Sequence, residues 1–236
     1  MRQKTNQKTN KMIHLIVIIL LSYATFANAS DSVFLKGWEL PEYFVTRDEA
    51  KDPLEAQWND SYEVKLKGET RAFTISSCAG YLKVKDGSPK PLSSIDIPPF
   101  TFLCLQCEAT SLALTTGHGA KNFLKSIKFD NSFADILPSE IAFGQETPTR
   151  KTWREVTSVS LIEDTKTFLY FKGQDFGYYL YPIAFGDFNS DGYEDIIILV
   201  HTFSLKGNYV NNEAYVLSRK NNRANLRIVM RLPAPH

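Results

Sequence analysis

The chain has 236 residues, of which 43% are apolar and 22% charged, a globular balance that excludes a collagen-like, low-complexity or acidic disordered polymer. Four of its 27 basic residues, Arg2, Lys4, Lys8 and Lys11, lie in a leading segment without acids; the rest is 23 basic against 26 acidic residues, a net charge of −3. That balance supplies no clustered cationic footprint for nucleic acid or for anionic lipid heads.

Behind the leading basic residues, Met12 to Tyr23 is mostly apolar, and Ala27-Asn28-Ala29 offers the small residues of a signal-peptidase site. The pattern predicts a cleavable signal peptide over 1–29 and an exported mature chain, 30–236, periplasmic or secreted. The run from Ile13 to Ala24 is shorter than the roughly 20 apolar residues that cross a bilayer, so no membrane span is expected after cleavage. The residue directly after the cleavage site is Ser30 and not Cys, which disfavours a lipid-anchored form.

The mature chain reads as one α+β domain, with a mixed helical part over about 30–143 and a β-rich part over about 153–236. Trp38 to Phe44 is aromatic and broken by Pro41, and Thr46 to Trp58 reads as a short polar helix. Tyr62 to Leu66 and Ala72 to Ile75, separated by a Lys67-Gly68-Glu69-Thr70 turn, predict a hairpin. Lys83 to Ser93 is polar and turn-rich. The best helix is Phe100 to Leu114, apolar nearly all round and so expected to be buried, with Gly117 and Gly119 ending it. Asp130 to Ile136 suggests another short helix before Pro138.

Beyond a polar stretch at 144–152, six strands are expected in an antiparallel meander: Val156 to Ile162, Phe168 to Phe171, Tyr178 to Ile183, Ile196 to Val200, Tyr215 to Ser218 and Leu226 to Val229. The unbroken run Ile196-Ile197-Ile198-Leu199-Val200 has no polar face. It predicts a central strand covered on both sides, one of them by the Phe100 to Leu114 helix.

Three cysteines, Cys78, Cys104 and Cys107, enter an oxidising compartment. Cys78 is expected to bridge to Cys107 or to Cys104, and spacing leaves the connectivity open. A Cys104-Leu105-Gln106-Cys107 redox pair is the alternative.

One segment carries chemistry in its spacing. Gly186-Asp187-Phe188-Asn189-Ser190-Asp191-Gly192-Tyr193-Glu194-Asp195 sets oxygen-bearing side chains at alternate positions around a glycine. A hard cation such as Ca²⁺ takes six to eight oxygens. Asp187, Asn189, Asp191 and Asp195 are the candidate side-chain ligands and Tyr193 a candidate carbonyl ligand, with Glu194 pointing away into solvent. The twelfth position, Ile198, is not the glutamate an EF-hand requires. The segment instead resembles the nine-residue calcium loop of FG-GAP and VCBS-type repeats, D-x-N-x-D-G-x-x-D between two strands. Ala184-Phe185-Gly186 enters it and Asp195 to Ile198 leaves it, and Ser190 stands where the family commonly has Gly. The resemblance covers about residues 184–200 and implies bound Ca²⁺ as the cofactor. A plain Asp191-Gly192 turn with Asx bonds at Asp187 and Asn189 is the competing reading. Only one copy occurs, which excludes a propeller of tandem repeats.

His118, between two glycines, reads as a helix C-terminal cap or, less simply, as a catalytic base, alone or with Cys104. Phe176, Tyr178, Tyr179, Tyr181 and Phe185 read as sheet packing, with a binding patch if Tyr179 and Tyr181 share an exposed face. No catalytic zinc, nucleophile-elbow or nucleotide-binding spacing occurs. The expectation is a non-enzymatic, calcium-stapled exported protein that binds a protein partner in the cell envelope, of a toxin-neutralising, immunity or inhibitor-like kind. The alternatives are a metal-dependent envelope hydrolase and an assembly factor with a redox-active cysteine.

Overall fold

A computed structural model describes residues 52–142, 151–165 and 167–234; the expected signal peptide, the aromatic stretch at 38–44 and most of the polar stretch at 144–152 lie outside them. Strand β1 (Gln57–Lys65) pairs antiparallel with β2 (Ala72–Ser77), the expected hairpin, and β3 (Lys90–Pro91) adds to the other side of β1. The polar helix expected to end at Trp58 is corrected within the described residues, because Gln57 and Trp58 already belong to β1. Trp58, Tyr62 and Val64 alternate onto one buried face of that strand, and burying two aromatic rings outweighs the weak helix propensity of a polar segment.

Helix α1 (Cys78–Val84) follows directly, its first turn capped by the Ser77 hydroxyl, which accepts from Gly80 N at 3.1 Å. Only its last two residues, Lys83 and Val84, enter the stretch from Lys83 to Ser93 read as polar and turn-rich. Helix α2 (Ile97–Thr115) carries Pro98 and Pro99 in its first turn, where their missing N–H groups cost nothing. Its apolar character all round has a direct cause. Phe102, Leu105, Ala109 and Ala113 face the large sheet, whereas Phe100, Leu103, Cys104 and Cys107 join Trp58, Tyr62, Ile75 and Tyr81 of the small one. The helix is therefore a middle layer between two sheets. It stops at Thr115, with Thr116 extended, one residue before the glycines expected to end it.

A disulfide joins Cys78 of α1 to Cys107 of α2, and Cys104, one turn before Cys107, is a free and fully buried thiol. Burial, with the Glu108 carboxylate nearby, pushes that thiol well above the usual cysteine range. It stays protonated and unreactive.

After α2 the chain runs through short 3₁₀ helices at Asn131–Asp135, within the short helix expected over 130–136, and at Ser139–Ile141. Helix α3 (Trp153–Thr157) takes the first two residues of the strand expected over Val156 to Ile162. Thr152 and Glu155 form a reciprocal capping box and Trp153 is fully buried, so the cap and the anchor override the β preference of Val156 and Thr157. The strand begins only after Ser158, which takes a left-handed turn at φ 50°.

Strands β4 (Ser160–Asp164), β5 (Leu169–Lys172), β6 (Phe176–Gly186), β7 (Asp195–Ser204), β8 (Val210–Ser218) and β9 (Arg227–Arg231) form a six-stranded antiparallel sheet in sequential order. β7 sits in its middle. Ile197 and Leu199 face α2, while Ile196, Ile198 and Val200 face Phe133, Leu137 and Trp153 on the opposite side. This is the two-sided cover that the unbroken apolar run demands. Pro182, which cannot donate to the ladder, sits at a bulge in β6. Among the described residues no helix is long and apolar enough to cross a membrane.

Candidate metal centre

Residues 187–194 connect β6 to β7, and the ends of the connection are held because Gly186 and Asp195 pair across the ladder. Inside it, Asp187 Oδ1 accepts from Asp191 N and Oδ2 from Gly192 N, both at 2.9 Å. Asn189 Oδ1 also accepts from Asp191 N at 3.0 Å, and Asp191 Oδ1 accepts from Tyr193 N at 3.0 Å. Two left-handed residues, Ser190 at φ 58° and Gly192 at φ 82°, curl the loop. Ser190 thus adopts the conformation for which the resembling family uses glycine, and its side chain makes that turn more costly.

Asp195 differs from its neighbours. It is fully buried, its Oδ2 accepts from Phe188 N at 3.1 Å, and its Oδ1 has no hydrogen-bond partner. Burial lifts the Asp195 carboxyl to about 6; the Ser218 hydroxyl opposes that shift, the Asp191 charge adds to it, and the N–H groups of Asn189 and Phe188 oppose it. Ser218 stands directly across the ladder from Asp195, yet its own hydroxyl has no hydrogen bond of good geometry.

Among the described residues no three His, Cys, Asp or Glu side chains gather tightly enough to hold a metal ion as they stand. The bonds of Asp187, Asn189 and Asp191 are those of a plain Asx-turned loop. Asp195 goes beyond a turn residue: its Oδ2 holds the loop through Phe188 N, yet it is fully buried and its Oδ1, with the Ser218 hydroxyl across the ladder, makes no hydrogen bond of good geometry. The chemistry of the donor set fits a hard cation. It consists only of oxygens, and a carboxylate or amide oxygen that accepts one N–H keeps a second lone pair.

The loop leans on the segment after α2. Asp187 N donates to Gly117 O at 2.9 Å, Lys121 N to Gly192 O at 3.0 Å and Glu194 N to Lys121 O at 2.8 Å. Gly119 must be glycine, since an added Cβ would lie 2.4 Å from Glu194 N. Tyr193, the candidate carbonyl ligand, stacks its ring on Phe123 at 5.9 Å, with Lys121 Nζ 5.1 Å and Lys220 Nζ 5.7 Å from the ring centroid.

Two expectations are corrected here. Glu194 is not solvated: it is 2% exposed, with Oε1 2.7 Å from His118 Nδ1 and Oε2 accepting from Gly119 N at 2.6 Å. Correspondingly, His118 is bound to this carboxylate rather than capping α2. Both partners point off the ligand-bearing side of the loop because Glu194 alternates with Tyr193 and Asp195. Ser218 was missed as well; only the β7 to β8 register places it beside Asp195. No family model, no curated protein and no solved structure matches this chain.

Proposed function

We propose that the chain is an exported, non-catalytic binding protein whose large sheet is stapled by one Ca²⁺ in the 187–195 loop. The observation that carries this reading is the buried Asp195 carboxylate with its unpartnered Oδ1, held beside Asp191 at the start of the central strand. Asp187, Asn189, Asp191, Asp195 and the Tyr193 carbonyl would hold the ion. Bound there, Ca²⁺ would offset two of the three carboxylate charges of Asp187, Asp191 and Asp195. The protein's own part is to fix β6 to β7 and to the 117–121 segment.

Linkage makes this measurable. At fifty times Kd, calcium stabilises by about 2 kcal/mol, or roughly 4 to 8 °C in a chain of this size. Millimolar Ca²⁺ is expected to raise the melting temperature of the purified protein by that amount, and Asp191→Ala is expected to abolish the rise. A rise that survives Asp191→Ala places the ion elsewhere.

A protein partner is supported by Leu92, Ile95 and Ile97, three exposed apolar side chains in the segment leading into α2, with Ile95 81% exposed. A stoichiometric envelope partner captured by the tagged wild type and lost with Ile95→Glu is the expected result; equal capture by both forms excludes this surface. One observation favours a second reading, a hydrolase: His118 is held through Nδ1 by the buried Glu194 carboxylate, the pairing that orients a general base. Turnover of p-nitrophenyl phosphate or ester that disappears with His118→Asn would establish that reading.

A further inference from the structure

We infer that the cavity between the start of α2 and the large sheet is a binding site for a small uncharged aromatic molecule carrying one N–H or O–H donor. The cavity measures about 440 Å³, within the range of small-molecule sites. Pro98 and Phe102 roof it, Tyr179, Tyr181 and His201 of the sheet floor it, and Val210 closes one side.

Its nitrogen acceptor is oriented by a relay that places a hydrogen on His201 Nδ1. The Asn212 side-chain amide nitrogen donates to the Pro98 carbonyl at 2.8 Å, and a carbonyl can only accept. Asn212 Oδ1 must then be the atom 2.7 Å from His201 Nδ1. An amide oxygen cannot donate, so Nδ1 carries the hydrogen. Burial lowers the His201 pKa, against the opposing effect of its bond to Asn212. The ring is therefore neutral at physiological pH, and Nε2 holds a lone pair. Asn212 is itself 6% exposed and fully engaged by this relay.

The walls decide the ligand class. None of the nine lining residues carries a formal charge, so a charged ligand would be desolvated without compensation. The rings already meet edge to face, Phe102 with His201 at 90° and 6.2 Å and Phe102 with Tyr181 at 67° and 5.2 Å, an arrangement that a further flat ring extends. His201 Nε2 has a lone pair and no hydrogen to give, so it calls for a donor on the ligand, whereas the hydroxyls of Tyr179 and Tyr181, which also line the cavity, can donate or accept. Phenols and indoles have that chemistry; aliphatic acids and amines, charged at neutral pH, do not.

The site is independent of the calcium loop, so its test does not depend on metal. Indole and 1-methylindole, which lacks the donor, are titrated into the purified protein and followed by calorimetry and by ¹⁵N spectra of the histidines. Indole is expected to bind saturably and about fivefold more tightly than 1-methylindole, the worth of one neutral hydrogen bond, and to shift His201 Nε2 while Nδ1 remains protonated. In a folded His201→Phe variant the preference for indole disappears while both compounds still bind. Absence of saturable binding, equal affinity of the two compounds for the wild type, or a His201 ring protonated on Nε2 in the free protein overturns the inference. Should His201→Phe fail to fold, the wild-type affinity ratio and the tautomer decide alone.

Discussion

Replacing Asp195 with asparagine is expected to move the calcium-free and calcium-loaded protein in opposite directions. In the calcium-free form the carboxyl is buried and lifted to about 6, so at neutral pH its ionised state is held at a cost. Asparagine removes that cost while keeping an oxygen for Phe188 N, and a gain of at most about 3 kcal/mol follows from the pKa displacement. The same change deletes a charged ligand, which should weaken calcium by more than the roughly 100-fold that loss of an outer-shell partner causes. Thermal melts with and without Ca²⁺ read both effects.

The sign of the pH dependence follows from the same group. Its folded pKa lies above its unfolded value, so the native state binds more protons between about pH 4 and 6, and stability falls as pH rises through that window. Without calcium the wild type should show that fall and Asp195→Asn should not. A variant that is less stable than the wild type in chelator, or one that still responds to calcium, would remove Asp195 from the site.

The sheet was legible because its signals are local. Ile196 to Val200 declares a strand with no wet face, the Asp191-Gly192 turn sets where β7 begins, and alternating aromatics mark β6. The Tyr62 and Ala72 strands declared a hairpin through their Gly68 turn. α3 was also written in the chain, as a Thr152-x-x-Glu155 box enclosing the apolar anchor Trp153, but β-branched Val156 gave the stronger apparent signal. What escaped were long-range pairs. Glu194 looked like a solvent-facing loop residue because its partners, His118 and Gly119, lie some 75 positions earlier. Likewise the His201 relay joins β7, β8 and the first turn of α2, across 114 positions between Asn212 and Pro98. Periodicity reports which face a residue occupies. It does not report which distant carbonyl waits there.

The disulfide offers the largest stability effect. Cys78 and Cys107 close a loop with a separation of 29 residues, worth about 3 to 4 kcal/mol in the chain-entropy account. Both cysteines are fully buried at the junction of α1 and α2, so Cys78→Ser combined with Cys107→Ser adds the burden of two buried hydroxyls. The double variant is expected to lose at least 3 kcal/mol by urea unfolding. Cys104 then serves as an internal reporter: its thiol, protonated and enclosed, should resist iodoacetamide in the native wild type and react in the variant at the rate at which α2 separates from its small sheet. The consequences for the two proposed sites differ. The calcium loop rests on β6, β7 and the 117–121 segment, so the calcium-induced rise in melting temperature should persist in the double variant. The indole cavity depends on where the first turn of α2 sits over His201, so its affinity should fall. A double variant with an unchanged unfolding midpoint would show that packing of α2 between the two sheets, without the covalent link, is what holds the small sheet in place.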